Sequence, residues 1–467
     1  MATMLSLERR YLFATIAIII GITAICYGRF IDNYFAYDDF AIMEHVIRGP
    51  AAVLQGYNYI LRLVANAIHW PLYYGFGLKP LGYNLFCIGL NALNAIILFF
   101  LVRMLFGNHV LASLSAILFA ASSVGCDAIF WKAAYATPLN LAFYMLTLIA
   151  YLRFRREGNQ RYFYLSIVLF ILAILSKEEA ASLPFVILLI ELLILKVPCD
   201  WSLVRKTIPY GVVIILYLLA NYIMIYHIFK GESELVRHSS FRPLHTLFSS
   251  LTVFFLPPQG RLDGRVSAMV ASGIFMVTAL IFTRDRRLLL FAIGWVFVTF
   301  LPQSLSSLSQ FEPKYIFNSI SRHLYLPSAG AALVIAAVLV QLRDRFGPLL
   351  GRFVVAVAVT GLLYVNYERI QKRGSEWAVE GRPVKAFLAE IGKEIATFPE
   401  NTHFYVEDAP TGRAYVQQAM RAYYRNATLW WIAEPDKYMI KPNEPVFLIS
   451  CFWRSRDEVK LQIKRLN

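Results

Sequence analysis

The stretch TIAIIIGITAICYGRFIDNYFAYDD, residues 15–39, decides how the rest of the chain is read. It opens on an apolar run belonging to a segment over about 11–29, long enough to cross a bilayer, for which roughly 17–25 residues suffice. No cleavage pattern of a secretory leader follows, so the run reads as a retained first span. Shortly beyond it Asp38 and Asp39 stand side by side among aromatics. An ionised carboxylate at an apolar boundary is costly unless it is solvated, paired or used. The pair suits a solvated helix start, where aspartate caps the end and complements the dipole. It suits an active site equally. In a helix adjacent side chains diverge by about 100°, so only one aspartate points at any given atom.

The composition extends the membrane reading to the whole chain. Of 467 residues, 58% are hydrophobic, 15% aromatic and 16% charged. Soluble domains hold about 45–50% apolar and about 25% charged residues, so the excess marks a polytopic membrane protein. The net charge of +15 says little about nucleic acid, because Lys and Arg sit in short loops between apolar runs, where they set orientation. No nucleic-acid partner is expected. Cys26, Cys87, Cys126, Cys199 and Cys451 are scattered, without the spacing of a disulfide framework or zinc site.

Apolar runs between breakers give about eleven expected spans: 11–29, 83–104, 110–126, 136–152, 162–176, 180–196, 208–228, 265–283, 288–304, 324–342 and 349–366. Alternate loops carry Arg9–Arg10, Arg103, RFRREGNQR (153–161), Lys196 with Arg205 and Lys206, RDRR (284–287) and RDRFG (343–347). The positive-inside rule makes these loops and the N-terminus cytoplasmic. The longer, aromatic-rich loops 30–82, 122–135, 229–264 and 305–323 then face outward, as does the tail. Functional residues gather on long loops held by a rigid scaffold, so the site is expected on that outer face. The expected localisation is a multi-pass membrane protein, bacterial inner membrane, with the site facing periplasm or exterior.

Two domains are expected: a transmembrane domain over 1–366, with the first outer loop at 30–82, and a small soluble α/β domain over 367–467. In the latter, helices are expected near 383–397 and 413–424, strands at THFYVED (402–408) and PVFLIS (445–450), and a basic terminal helix. About a hundred residues are just enough to own a core.

Several polar clusters stand out within the apolar frame. In NYILRLVANAIHWPLYYGFG, Asn58, Arg62, Asn66 and His69 fall at i, i+4, i+8 and i+11, with Ile60, Leu61, Val64 and Ile68 opposite. That is an amphipathic helix lying on the membrane surface. Its polar stripe either faces water or turns Arg62 inward, where a guanidinium fork suits a phosphate. In LSKEEAASLPF (175–185), Lys177, Glu178 and Glu179 separate two apolar runs with almost no loop. A hairpin tip prefers Gly, Pro, Asn or Asp, which favours a cavity role for Lys177 and Glu178. Asp127 and Lys132 flank AIFW, and SISRHLYLPSAG (319–330) sets Arg322 and His323 where the last outer loop enters a span. Basic residues there need a carboxylate, a lipid phosphate or an anionic substrate as partner. No Gly-rich phosphate loop, HExxH, CxxC or GxSxG motif occurs, leaving ATP hydrolysis, zinc proteolysis and serine esterase chemistry unsupported.

The order of first span, aspartate pair, long loop, many spans and outer tail resembles the GT-C superfamily of membrane glycosyltransferases. Within it, the chain is most similar to the protein O-mannosyltransferase-like members, including the transmembrane and TPR-containing O-mannosyltransferases. YDD lies where that family has its acidic first-loop motif. PLGYNLFCIGLNALNAIILFFL (80–101) is similar to its P-x-G-Y-H-x-x-N…H-A-x-N-A segment, with Asn84 and Asn91 where histidines are common. SSVGCDAIFW (122–131) resembles HPVHVEAVAW, with Asp127 for Glu, and LSKEEAASLPF and SRHLYLPSAG resemble SKE-x-x-x-x-x-P and ERYLYLPS-x-G. No TPR repeats follow the last span.

The resemblance implies a GT-C-like α-helical fold and transfer of a sugar, mannose in the mannosyltransferase branch, from a polyprenyl-phosphate-linked donor. It assigns the general base to Asp38 or Asp39. A lipid phosphate is already a good leaving group, so what is needed is a carboxylate at the acceptor hydroxyl and cations where charge develops. Arg62, Lys132, Lys177, Arg322 and His323 are the candidates for donor or phosphate contacts, with Asp127 and Glu178 as orienting acids. The expected partners are the lipid-linked donor, membrane lipids and a protein, lipid or glycan acceptor. Adjacent carboxylates could hold Mg²⁺ or Mn²⁺, but the resemblance favours no cofactor. A transporter or flippase of a lipid-linked anion is the rival reading, although such sites lie near the midplane on broken helices.

Overall fold

A computed structural model describes residues 2–55, 61–224, 279, 283–305, 321–433 and 444–466. Among these, seven helices are long and apolar enough to cross a membrane, and His109–Ala120 and Gln160–Ile174 are shorter apolar helices. Ten of the eleven expected spans overlap described helices, with 110–126 running past the helix end at Ala120 and residues 225–228 lying outside the described residues. The span expected over 265–283 lies, apart from two residues, outside the described residues. The segment expected as a helix at 180–196 is composite: a 3₁₀ turn at Glu178–Ser182, an α-helix at Leu183–Leu189 and a π turn at Ile190–Ile194.

By compactness the chain divides into two units. A membrane unit takes Met1–Arg29, Cys87–Ile129 and Ala134–Gln371, and a loop–tail unit takes Phe30–Phe86, Phe130–Ala133 and Lys372–Asn467. In the membrane unit the most enclosed of the candidate spans is Tyr325–Arg345, whose AGAALVIAA run is buried except at the half-buried Ile335. Small residues let helices approach closely without an aqueous driving force. Gly330 shows why: a Cβ there would lie 2.7 Å from Trp295 and 2.9 Å from the Ala292 carbonyl on the Arg286–Leu305 helix. The Trp295 indole N–H donates to the Leu326 carbonyl at 3.1 Å, across the same seam.

The loop–tail unit is built around a four-stranded sheet, β1 His403–Glu407, β2 Trp430–Trp431, β3 Val446–Ser455 and β4 Glu458–Arg465, in the order β2-β1-β3-β4. β1 runs parallel to β2 and β3, with Phe404 opposite Phe447 and Val406 opposite Ile449. β4 is antiparallel to β3. Alternation buries Phe404 and Val406, and Val416, Ala419 and Met420 of the Arg413–Tyr424 helix join them. The core is completed by Phe35, Phe40 and Met43 of the first loop and by Leu388 and Ile391.

Two sequence expectations for the tail are corrected. The basic terminal helix is β4: Val459, Leu461 and Ile463 alternate at period two, and the basic residues between them occupy the other face. The separate helix expected near 383–397 is the end of one 47-residue helix, Pro348–Glu394. Loss of apolarity after 366 changes what the helix faces without ending it, because residues 367–382 contain no proline and are largely helix formers.

Candidate functional site

The acidic pair starts the Asp38–Ile47 helix of the loop–tail unit, and both carboxylates favour the positive end of its dipole. Tyr37 precedes them at φ 52, a left-handed conformation costly for a residue with a Cβ. Its hydroxyl donates to Glu380, and its ring meets Trp377 and Tyr415 edge-on at 6.2 and 5.7 Å. The two aspartates then part. Asp39 turns inward and is 3% exposed. Its Oδ2 accepts from the Ala36 amide at 3.0 Å and its Oδ1 from the Ala133 amide at 2.7 Å. Lys132, also 3% exposed, donates to the carbonyls of Asn33 and Tyr34 at 2.8 and 3.0 Å and sits 5.6 Å over the Phe35 ring. Burial pushes the Asp39 carboxyl up to about 6, opposed by the Lys132 charge and the two amides. Asp38 remains half-buried. The Tyr415 hydroxyl hydrogen-bonds it, and burial, then Asp38, raises the tyrosine's pKa.

One turn along the same helix Glu44 is buried and forms an ion pair with Arg421, which is 1% exposed; Arg48 shares the same oxygen. Arg421 also donates from Nε to the Leu429 carbonyl at 2.7 Å and stacks 4.5 Å over Trp430. Tyr73 donates to the Ala422 carbonyl at 2.9 Å. Tail residues therefore hold this helix at Tyr37, Asp38 and Glu44.

The amphipathic helix of the first loop is shorter than expected. It runs Leu63–Phe76, with Arg62 half-buried at its N-cap, and Asn58 lies outside the described residues. His69 does not continue a wet polar stripe: it is buried, and burial lowers its pKa to about 3. Asn84 donates to the carbonyls of Ile31 and Asn33 at 2.7 and 3.0 Å. It is thus a buried tie at a position where the resembling family has a histidine.

The membrane unit holds a second polar centre. After the Gln160–Ile174 helix, Lys177 takes an extended conformation and the chain enters the Glu178–Ser182 turn. That geometry points Glu179 inward, 1% exposed, and leaves Glu178 half-buried. Lys177 Nζ lies 2.7 Å from Glu179 Oε1 and donates to Thr137 Oγ1 at 2.7 Å. His323 Nδ1 lies 2.7 Å from the same Oε1, while Arg322 Nε donates to His323 Nε2 at 3.2 Å. Lys177 Nζ also lies 3.3 Å from His323 Nδ1, so the three side chains close on one another. Glu179 Oε2 is buried with no hydrogen-bond partner among the described residues.

Asp127 is buried at the start of the short Asp127–Phe130 helix. Gly125 just before it has φ +85, and a Cβ would fall 2.8 Å from Tyr325 Cα, so only glycine fits that turn. Asn91 accepts from the Tyr325 hydroxyl at 2.9 Å and donates to the Ala120 carbonyl at 3.0 Å.

Of the residues singled out in the sequence, Asp38, Asp39, Arg62 and Lys132 thus belong to the loop–tail unit, and Asp127, Lys177, Glu178, Arg322 and His323 to the membrane unit. Sequence reasoning missed Glu179, Tyr415, Glu44 and Arg421. Only Glu179 left a signal, as the neighbour of Glu178. Among the described residues no cluster of three or more His, Cys, Asp or Glu side chains could hold a metal ion.

Comparison with known proteins supplies the context. Residues 63–227 match the family model described as dolichyl-phosphate-mannose-protein mannosyltransferase. Curated protein sequences give no match. The fold is similar to the oligosaccharyltransferase AglB of Archaeoglobus fulgidus, solved with an inhibitory peptide and a dolichol-phosphate, at TM-score 0.53 and 9% identity over 92% of this chain; the chain spans 65% of that protein's length. It is similar also to ArnT of Cupriavidus metallidurans, at TM-score 0.53 in both forms. The apo form is 13% identical, covering 95% of this chain and 93% of that one. The form bound to undecaprenyl phosphate is 14% identical, covering 96% and 93%. Identities this low carry the fold alone. Residues 63–227 thus resemble a mannosyltransferase family model, and the fold as a whole is similar to those of AglB and ArnT.

Proposed function

We propose that the protein moves a sugar, mannose being the one its family model names, from a polyprenyl-phosphate-linked donor to an acceptor hydroxyl on the extracytoplasmic face. The observation that carries this reading is the division of labour within the acidic pair. Asp39 is fixed by two backbone amides, and Asp38 presents its carboxylate at the half-exposed start of the helix beside Tyr415.

Asp38 acts as the general base. It takes the proton of the acceptor hydroxyl as that oxygen attacks the anomeric carbon, and the bond from that carbon to the phosphate oxygen breaks with its electron pair leaving on the lipid phosphate. Attack opposite the leaving group inverts the anomeric centre. A positioned base of this kind contributes roughly 10²–10⁴-fold. Asp39 and Lys132 are positioning residues: they pin the segment before the helix and so aim Asp38. Arg62 is the candidate cation for the leaving phosphate. For the membrane unit's centre, Lys177, Arg322 and His323 with Glu179 as orienting acid, we propose donor binding, with Glu178 and Asp127 supporting it. The resemblance favours a reaction without metal.

The test incubates purified protein with radiolabelled polyprenyl-phosphate mannose and an acceptor extract, and compares Asp38→Asn with the parent. Label should pass to the acceptor only with the parent. Movement of the lipid across vesicle membranes without transfer would instead make the protein a flippase.

A further inference from the structure

The sheet of the loop–tail unit opens a crevice of about 630 Å³ where β1 ends beside β3. The two strands run parallel and pair as far as Glu407 and Ser450, after which their continuations part. Beyond β1 the chain turns through Asp408 into the Arg413–Tyr424 helix and comes back as β2, whereas β3 runs on and turns into β4 on the other side. In open α/β sheets ligands settle outside the carboxyl ends of the strands, where the connections part in this way. Asp408 is held there at φ 51, a conformation that aspartate tolerates better than most residues with a Cβ. The Trp453 indole N–H donates to its carbonyl at 2.7 Å and fixes the mouth of the crevice.

The lining sets one broad ring among charges of both signs. Phe452 is 55% exposed and stands opposite Lys460 across β3 and β4. Arg454 adds a guanidinium that pairs with Glu458 at 2.9 Å, and Asp408 adds a carboxylate. Burial, then Asp408 and Glu407, pushes the Cys451 thiol up to about 12, which sets both acids close to that wall of the crevice. A phosphate would meet those two carboxylates, and an alkyl chain would strip water from Asp408, Arg454 and Lys460 without replacing it. A peptide strand added to the edge of β3 would meet the register shift between Trp453 and Ser455, and such irregularities end pairing. What fits is a ring with an apolar face and hydroxyls on its rim. Its C–H face covers the electron-rich face of the aromatic ring, and its hydroxyls donate to the acid and accept from the cations.

We propose that this crevice binds a neutral saccharide, and that the saccharide is part of the acceptor. Phe452 stacks on one sugar ring, Asp408 accepts from its hydroxyls, and Lys460 and Arg454 donate to them. The assignment to the acceptor rests on the transferase reading. The loop that borders the crevice at Asp408 leads straight into the helix whose Tyr415 hydrogen-bonds Asp38, so one short loop joins the anchor to the base. The acceptor class is thereby a glycan, and a peptide hydroxyl is the alternative.

The experiment uses the full chain in a detergent without sugar headgroups and with no donor present. Mannotriose, chitotriose and a serine- and threonine-rich peptide are titrated in turn, with binding read by saturation-transfer NMR. At least one trisaccharide is expected to bind saturably. Phe452→Ala and Asp408→Asn are each expected to weaken it at least tenfold with the thermal unfolding midpoint unchanged; the first removes an exposed ring and the second keeps a side chain that suits the left-handed backbone. Failure of both trisaccharides to bind, or binding that either variant leaves unchanged, overturns the proposal. Peptide binding that depends on Phe452 as strongly makes the acceptor a peptide and overturns it equally. Transfer is measured separately, with labelled donor and the bound trisaccharide as acceptor. No transfer by a parent chain that still binds the trisaccharide defeats the transferase reading and leaves the binding site, whereas transfer unchanged by Phe452→Ala defeats the acceptor assignment alone.

Discussion

Each unit of this protein buries a lysine beside a carboxylate, and the two centres satisfy their charges in opposite ways. In the loop–tail unit, Asp39 and Lys132 direct their polar atoms at the backbone, at two amides and two carbonyls. In the membrane unit, Lys177, Glu179 and His323 meet side chain to side chain, and one carboxylate oxygen has no hydrogen-bond partner among the described residues. A centre tied to backbone cannot rearrange without moving the chain, so it serves as a frame. A centre of side chains with acceptor capacity in reserve can exchange a partner for a ligand. The difference teaches where to look for chemistry: beside the frame, at Asp38, and within the exchangeable cluster.

The largest expected effect tests the frame. Asp38→Asn should lower the transfer rate by roughly 10²–10⁴-fold while the thermal unfolding midpoint stays within a few degrees. A midpoint that collapses, or a rate that does not change, would make Asp38 part of the frame. Next, Glu179→Leu strands a buried lysine and should cost about 3–5 kcal/mol of stability, read by denaturant or thermal unfolding in detergent. Restoring most of it with Lys177→Met in the same chain would show that the stranded charge, and no lost packing, was responsible.

A smaller effect concerns pH. Asp39 has its carboxyl raised from 3.8 to about 6 in the folded chain, so the native state binds the proton more tightly than the unfolded one. The associated stability is fully present below about 3.8 and is lost as pH rises through about 6, a fall of roughly 3 kcal/mol at ~1.4 kcal/mol per unit. Asp39→Asn should flatten the stability profile across that window, and a profile identical to the parent's would place the titration elsewhere. The smallest effect is Tyr415→Phe. Losing one hydroxyl from Asp38 should lower the turnover number by about tenfold, near 1.4 kcal/mol, with KM for the donor unchanged. A change in KM alone would assign Tyr415 to binding.

Much of this was readable from residues, and the limits were physical. Apolar length placed the spans, and ionisable residues in oily surroundings picked out Asp39, Lys132, Lys177 and His323, all buried. The 413–424 helix follows from apolar positions on one face. Between Glu178 and Glu179 the sequence offers no choice, because the deciding factor is the extended conformation of Lys177 and the tight turn after it. The basic charge of the last residues drew attention away from the alternation of Val459, Leu461 and Ile463, which made them a strand. Glu44 and Arg421 lie 377 residues apart, and no local pattern can pair residues across such a distance.

That separation also sets a clock on the protein's making. The helix that carries Asp38 leaves the ribosome long before Arg421, its distant partner for Glu44, is synthesised. At about 5–20 residues per second, the helix waits roughly 20–75 s with Arg48 alone paired to Glu44 before Arg421 arrives. Until then the helix lacks Tyr415 and Arg421 alike, so the nascent chain holds Asp38 without its tyrosine while its spans are already entering the membrane.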